Sequence, residues 1–158
     1  MIKVFTDGSC VNLNKPNCRA GCGVYFGDKR DISYEITRGK KTNQVAEIKA
    51  CILALHRIME TEKLDKKKII IYSDSMYTIN CVTKWAKGWE KNNWKKSTGE
   101  KIINKKLIKK LYYLSNNMNV EYKHVRAHKK EPKKDSDEYY FWYGNHMADK
   151  LATDATSS

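Results

Sequence analysis

The sequence predicts a single α/β domain spanning residues 1–158, and three observations carry that expectation. Short runs rich in β-branched and aromatic residues recur at 2–6, 21–26, 32–37, 69–72 and 120–125. Between several of them, apolar residues fall at i, i+3, i+4 spacing, the signature of an amphipathic helix. The whole fits in 158 residues, a length at which one core buries roughly 70% of the unfolded surface.

The first strand candidate, Ile2-Lys3-Val4-Phe5-Thr6, runs into Asp7-Gly8-Ser9, a turn-prone sequence that places the strand end at Asp7. Ile2 and Val4 alternate with Lys3, and Phe5 breaks the alternation, as expected where a strand enters a core covered on both faces. Residues 21–26 and 32–37 are joined by Gly27-Asp28-Lys29-Arg30-Asp31, short enough for a hairpin, so three antiparallel strands follow one another. From Asn43 the period changes: Ile48, Cys51, Ile52, Leu55, Ile58 and Met59 share a helical face, with Thr42 or Asn43 placed as the N-cap. Lys66-Lys67-Lys68 leads into Ile69-Ile70-Ile71-Tyr72, an apolar run suited to a central strand that stops at Ser73-Asp74-Ser75. The stretch from Tyr77 to Leu114 lacks proline and reads as helical, broken near Gly88 and again near Ser97-Thr98-Gly99. Residues 120–125 resume a strand pattern, and Met147, Ala148, Leu151 and Ala152 predict a last helix from Gly144 that frays by Ser157. No internal repeat or linker marks a second module.

Apolar residues make up 41% of the chain and no long apolar run occurs, so neither a membrane span nor a secretory leader fits. Lys and Arg number 31 against 18 Asp and Glu, a net charge of +13. That balance favours a polyanionic partner, nucleic acid ahead of an anionic membrane. The five cysteines form an odd set without a Cys-x-x-Cys pair and read as reduced. A zinc site from Cys18, Cys22, His124 and His128 is disfavoured by its loose spacing. An intracellular protein, cytoplasmic or nuclear and not secreted, is expected.

Four acids stand out by position. Asp7 and Asp74 end strand candidates, Glu47 lies in the first turns of a helix, and Asp149 lies early in the last helix. Reactive groups of open α/β sheets gather at strand ends, so these carboxylates could converge. Without a cation, two like charges roughly 4 Å apart repel by about 4 kcal/mol at an effective dielectric near 20. A divalent ion removes the objection, and oxygen-only ligands favour Mg²⁺ or Mn²⁺. Singly, each acid is more simply a turn former or a helix cap.

The local company of these acids narrows the choice. Thr6-Asp7-Gly8-Ser9-Cys10, Thr42-Asn43-Gln44-Val45-Ala46-Glu47, Ser73-Asp74-Ser75-Met76-Tyr77 and Gly144-Asn145-His146-Met147-Ala148-Asp149-Lys150-Leu151-Ala152 resemble, in order, the motifs of the type 1 ribonuclease H family. The resemblance runs from Lys3 to Ala155. It implies a ribonuclease H-like fold, with a five-stranded mixed sheet of three antiparallel and then parallel strands, flanked by helices. It also implies two Mg²⁺ ions held by Asp7, Glu47, Asp74 and Asp149, and endonucleolytic hydrolysis of the RNA strand of RNA/DNA hybrids leaving 5′-phosphate and 3′-hydroxyl ends. His128, in Val125-Arg126-Ala127-His128, matches the family's loop histidine, which helps protons move or product leave. His56, His124 and His146 match no such role and read as structural.

Between Lys84 and Lys110 ten lysines face only Glu90 and Glu100, and Trp85, Trp89 and Trp94 are interleaved among them. A basic helix is usually a solvated face and its tryptophans the core side. The stretch from Trp85 to Lys96 nonetheless resembles the family's basic protrusion. By that resemblance the protrusion, with Trp94, Lys95 and Lys96, grips the DNA strand, Lys40, Thr42 and Asn104 line a pocket for a DNA phosphate, and Tyr77, Trp85 and Trp89 meet deoxyribose or bases. Asn43 and Gln44 match residues that read the minor groove, where the 2′-hydroxyls of RNA are displayed. A monomer with no obligatory protein partner and no separate hybrid-binding domain is expected, hence modest processivity.

Two places depart from the family pattern. Leu13, flanked by Asn12 and Asn14, falls where the family often has an asparagine. The segment from His128 to Gly144 is longer than usual and carries five consecutive aromatics, Tyr139 to Tyr143, several of which are expected to pack on the sheet or last helix. Two other functions fit less of the sequence: a nuclease or strand transferase acting on DNA, and an inactive binding module.

Overall fold

The computed structural model describes residues 1–63, 67–127 and 129–157. In chain order the elements are β1 (Ile2–Val11), β2 (Arg19–Tyr25), β3 (Ile32–Ile36), α1 (Asn43–Thr61), β4 (Ile69–Ser73), α2 (Met76–Asn80), a π-helical turn (Cys81–Trp85), α3 (Ala86–Lys91), α4 (Lys105–Asn117), β5 (Val120–His124) and α5 (Asp137–Asp154). The five strands form one sheet in the order β3-β2-β1-β4-β5. β1, β2 and β3 pair antiparallel, and β4 and β5 add in parallel to β1. Among the described residues no helix is long and apolar enough to cross a membrane.

Helices cover both faces of the sheet, which is why the central strands carry no polar alternation. Val4, Ile69 and Ile71 pack with Ile48, Leu55, Ile58, Ile108 and Leu111 of α1 and α4. On the opposite face Phe5, Ile70 and Tyr72 pack with Val125, just after β5, and with Ala148 of α5. Thr42 starts α1 by accepting a hydrogen bond from the Val45 amide at 3.1 Å, a capping contact that satisfies one of the helix's unpaired donors. Two glycines let helices approach the sheet: a Cβ at Gly8 would collide with the α1 backbone at Ala46 and Glu47, and one at Gly23 with the Ala148 carbonyl of α5. These close approaches bring Glu47 and α5 against the centre of the sheet.

Three element boundaries differ from expectation. β1 continues past Asp7 to Val11 because β2 pairs with it residue by residue, Asp7 opposite Gly23 and Val11 opposite Arg19. What ends at Asp7 is the other pairing: the last β1–β4 partners are Thr6 and Ser73, so Asp7 and Asp74 stand where two parallel strands part. The helix does not break at Gly88, which lies inside α3; it ends at Lys91. Finally, α5 begins at Asp137, before the five aromatics. Asp137 and Glu138 occupy its first turn, where carboxylates favour the positive end of the helix dipole. Asp149 therefore lies in its C-terminal half. The aromatics seal the helix to the sheet, Tyr140 against Phe5 at 5.5 Å and Phe141 against Tyr72 at 5.3 Å between ring centroids.

Candidate active site

Three carboxylates meet at the point where β1 and β4 separate. Asp7, Glu47 and Asp74 each offer an oxygen within 4.8 Å of the others. Asp7 is 4% exposed and Glu47 8%, whereas Asp74 is more open. The Gly8 amide donates to Asp7 Oδ1 at 2.9 Å and to Glu47 Oε1 at 2.8 Å, tying strand to helix. Asp74 sits in the link between β4 and α2, and its neighbour Ser75 fixes that link by accepting from the Thr78 amide at 3.2 Å. Asp149 of α5 lies beside the cluster, lining one recess with Asp74 and close enough to raise the Asp7 carboxyl.

The electrostatics follow from this crowding. Burial first, then the hydrogen bond and charge of Glu47 and the charge of Asp74, hold the Asp7 carboxyl far above the ordinary carboxylate range. Burial likewise raises Glu47, with Asp74 adding to it, while hydrogen bonds from Asp7 and the Gly8 amide pull the other way. Both shifts favour proton uptake by the pair. Glu47 Oε2 is buried and has no hydrogen-bond partner among the described residues, and such an orphaned acceptor costs about 1–3 kcal/mol. A hard divalent cation would replace the proton and satisfy that oxygen, so the donor set fits Mg²⁺ or Mn²⁺.

Beside the cluster a recess of about 280 Å³ is lined by Asp74, Asp149, Asn145, His146, Lys129 and Trp142. Asn145 is 7% exposed, and its Oδ1 is buried with no hydrogen-bond partner among the described residues. Neither Asn145 nor His146 stands out from the sequence, and His146, expected to be structural, also lines the recess. It stacks on Trp142, ring centroids 4.9 Å apart and planes 10° from parallel. The only sequence signal for both was their place in the motif around Asp149. His128 lies outside the described residues.

The residues expected to hold substrate mostly converge on a second recess of about 310 Å³, where Lys40, Thr42, Gln44, Tyr77, Trp85, Trp89, Lys96 and Asn104 meet. Asn104 donates to the Tyr77 hydroxyl at 3.3 Å, and Trp85 stands 6.0 Å from Trp89 and 6.5 Å from Tyr77 between ring centroids. Asn43 and Lys95 are exposed near this groove's elements without lining it, whereas Ile102 and Ile103, which the sequence did not single out, do line it. Trp94 requires correction. It is 7% exposed, its Nε1 donates to the Tyr113 hydroxyl at 3.2 Å, and its ring packs edge-on against Tyr112 and Tyr113. Asn93 and Trp94 both adopt left-handed backbone angles, φ 54° and 57°. Those two residues turn the chain back so that the indole enters the core. Cys22 is buried against the Ala46 carbonyl and Cys18 lies 3.6 Å from Cys10, with no cysteine–histidine cluster among the described residues.

Comparison with known proteins agrees with this geometry. Ribonuclease H1 of Mus musculus is 37% identical over 150 residues, which are 94% of this chain and 48% of that protein. The chain thus spans about half the length of its mammalian relatives. Ribonuclease H of Clostridium botulinum (strain Hall) is 31% identical over 156 residues, 96% of this chain and 93% of that protein. Among solved structures, the foamy viral protease-reverse transcriptase in complex with RNA/DNA hybrid superposes with a TM-score of 0.73 at 20% identity, covering 98% of this chain and 20% of that one. The family model described as RNase H matches residues 1–157, and the chain belongs to that family.

Proposed function

We propose that the chain is an endonuclease that hydrolyses the RNA strand of RNA/DNA hybrids, with Asp7, Glu47, Asp74 and Asp149 holding two Mg²⁺ ions. The observation that carries this reading is the convergence of Asp7, Glu47 and Asp74, with Asp149 beside them, acids whose mutual repulsion only a cation or protons can relieve. Bound Mg²⁺, or Mn²⁺ in its place, would lower the pKa of the attacking water and stabilise the leaving oxygen of the phosphodiester, leaving 5′-phosphate and 3′-hydroxyl ends. The chain's own groups supply position. The Gly8 amide orients Asp7 and Glu47 by donating to both, and the recess of Asn145 and Trp142 opens beside Asp74 and Asp149. His128 is the expected proton or product shuttle.

The groove of Lys40, Thr42, Asn104, Tyr77, Trp85 and Trp89 takes the DNA strand: lysine and the amide and hydroxyl donors hold a phosphate, and the rings lie against deoxyribose. Asn43 and Gln44, in the first turn of α1 with Gln44 lining that groove, read the minor groove, where 2′-hydroxyls distinguish RNA. The relatives named ribonuclease H and the neighbour solved with a hybrid support the same substrate. The test is incubation of labelled hybrid, double-stranded RNA and double-stranded DNA with Mg²⁺ or EDTA, beside Asp74→Asn. Metal-dependent cutting of hybrid RNA alone, lost in the variant, is expected. Cutting of DNA, or tight hybrid binding without cutting, would overturn the reading.

A further inference from the structure

We propose that a third recess, beside the acidic site, is a binding pocket for one unpaired nucleotide of the nucleic-acid strand. The inference rests on the hybrid reading above and adds a site to it. The recess has a volume of about 330 Å³, at the small end of sites that enclose organic ligands. It shares Lys129 and Trp142 with the recess of Asp74 and Asp149, and no residue with the tryptophan-lined groove. The two recesses therefore adjoin, within reach of one strand.

The lining has two chemistries. Tyr72 of β4, Val125 after β5, and Phe141 and Trp142 of α5 make apolar, largely aromatic walls. Lys123, Arg126 and Lys129, with His124 between them, make a cationic rim. Glu138 is the one acid in the lining, and Lys129 pairs with it at 3.6 Å. Lys123 stands 4.0 Å from Glu121, and Arg126 has no ion-pair partner among the described residues. The rim thus keeps an excess of positive charge.

Aromatic walls select a planar ring and the rim selects an anion; a nucleotide joins the two at the span of one sugar. Base–aromatic stacking tolerates any base, but a base inside a duplex has both faces covered by its neighbours. Only a base that has left the stack can enter. The walls are also set in advance. Trp142 is fixed by its Nε1 donating to the Lys129 carbonyl at 2.8 Å and by His146 stacked on it. Phe141 is 40% exposed and leaves a ring surface available.

The test compares binding, in Ca²⁺ in place of Mg²⁺, of a blunt hybrid with hybrids carrying three unpaired ribonucleotides at the 5′ or the 3′ end. Wild-type protein is expected to bind one of the extended hybrids about tenfold more tightly, the size of one base–aromatic stack. That preference should vanish in Phe141→Ala, in Lys123→Ala/Arg126→Ala, and with an extension of abasic residues, while blunt-hybrid affinity in Phe141→Ala stays within about twofold. Equal binding of blunt and extended hybrids by wild type overturns the proposal, as does a preference kept in both variants or by the abasic extension. Saturation by adenosine monophosphate without any extension preference would assign the recess to a free nucleotide, and equally overturn it. If wild type binds no blunt hybrid, the hybrid reading itself fails. The recess is then decided by titrating a single-stranded RNA trinucleotide, whose binding must be lost in both variants for the pocket to stand.

Discussion

Removing one charge from the acidic cluster should make the metal-free protein more stable. In Asp7→Asn the oxygen that accepts from the Gly8 amide is retained, and one charge is removed beside Glu47, whose Oε2 has no partner among the described residues. The cluster oxygens lie within 4.8 Å of one another. At that separation a pair of unit charges repels by about 3.5 kcal/mol at an effective dielectric near 20. A bound proton relieves part of this, at about 1.4 kcal/mol for each pH unit that it must be held above its ordinary range. Asp7→Asn should therefore gain up to about 3.5 kcal/mol at pH 8, and almost nothing at pH 4. For a chain of this length each kcal/mol gained is a rise in Tm of about 2–4 °C. The sign of the pH dependence is fixed by the direction of the shift. Asp7 and Glu47 are raised above 3.8 and 4.5, so the folded protein holds protons that the unfolded chain has already released. Stability in EDTA must then fall as pH climbs from the ordinary carboxylate range through neutrality. Mg²⁺ should restore wild type, by about 1.4 kcal/mol at ten times its Kd, and do less for Asp7→Asn. Thermal melts by circular dichroism at pH 4, 6 and 8, with EDTA or Mg²⁺, read all of this. A Tm for Asp7→Asn equal to or below wild type at pH 8 in EDTA would refute the reasoning.

Other substitutions probe the parts separately. Gly8→Ala forces a Cβ into the α1 backbone at Ala46 and Glu47; overpacking of this kind costs about 1–3 kcal/mol, and hybrid cleavage should fall with it, as denaturant melts and rate assays would show. Trp94→Ala should lower stability by about 3–5 kcal/mol, as a buried indole does, whereas Trp85→Ala, at a residue 43% exposed, should leave urea melts nearly unchanged and weaken hybrid binding. Replacing Lys95 and Lys96 by Ala should make the dependence of log affinity on log salt shallower by up to about 1.8, two phosphate contacts at 0.9 each; an unchanged slope in anisotropy titrations would remove both lysines from the DNA grip.

How much of this was legible in the sequence depended on whether local pattern or distant partners decided the matter. The helix of Ile48 to Ile58 and the strand of Ile69 to Tyr72 showed themselves through period and apolar run, because burial on one or both faces leaves that imprint. The four acids stood out through the motifs around them, yet the reason they meet was hidden. Asp7 lies within a strand, and its place at the parting of β1 from β4 follows from a register set by residues more than sixty positions away. The start of α5 was obscured because five consecutive aromatics erase the polar face by which helical period is read; the structure resolves them into Tyr140 and Phe141 against the sheet and Tyr139 stacked on Tyr143 one turn on. Trp94 looked like its neighbours Trp85 and Trp89 until two left-handed residues turned it inward. Asn145 and Trp142 had no signal beyond their neighbourhood, since a buried amide oxygen without a partner is a property of packing.

The central claim is that four acidic side chains from β1, α1, the end of β4 and α5 chelate a pair of divalent ions. Crystals of Asp74→Asn, grown with a hybrid and soaked in Mn²⁺ beside wild type without hybrid, allow anomalous scattering to locate the ions directly. The account predicts manganese peaks within coordination distance of Asp7, Glu47 and Asp149 in both, with Asp74 joining them in wild type. Manganese bound elsewhere, or not at all, while those carboxylates keep their positions would contradict it.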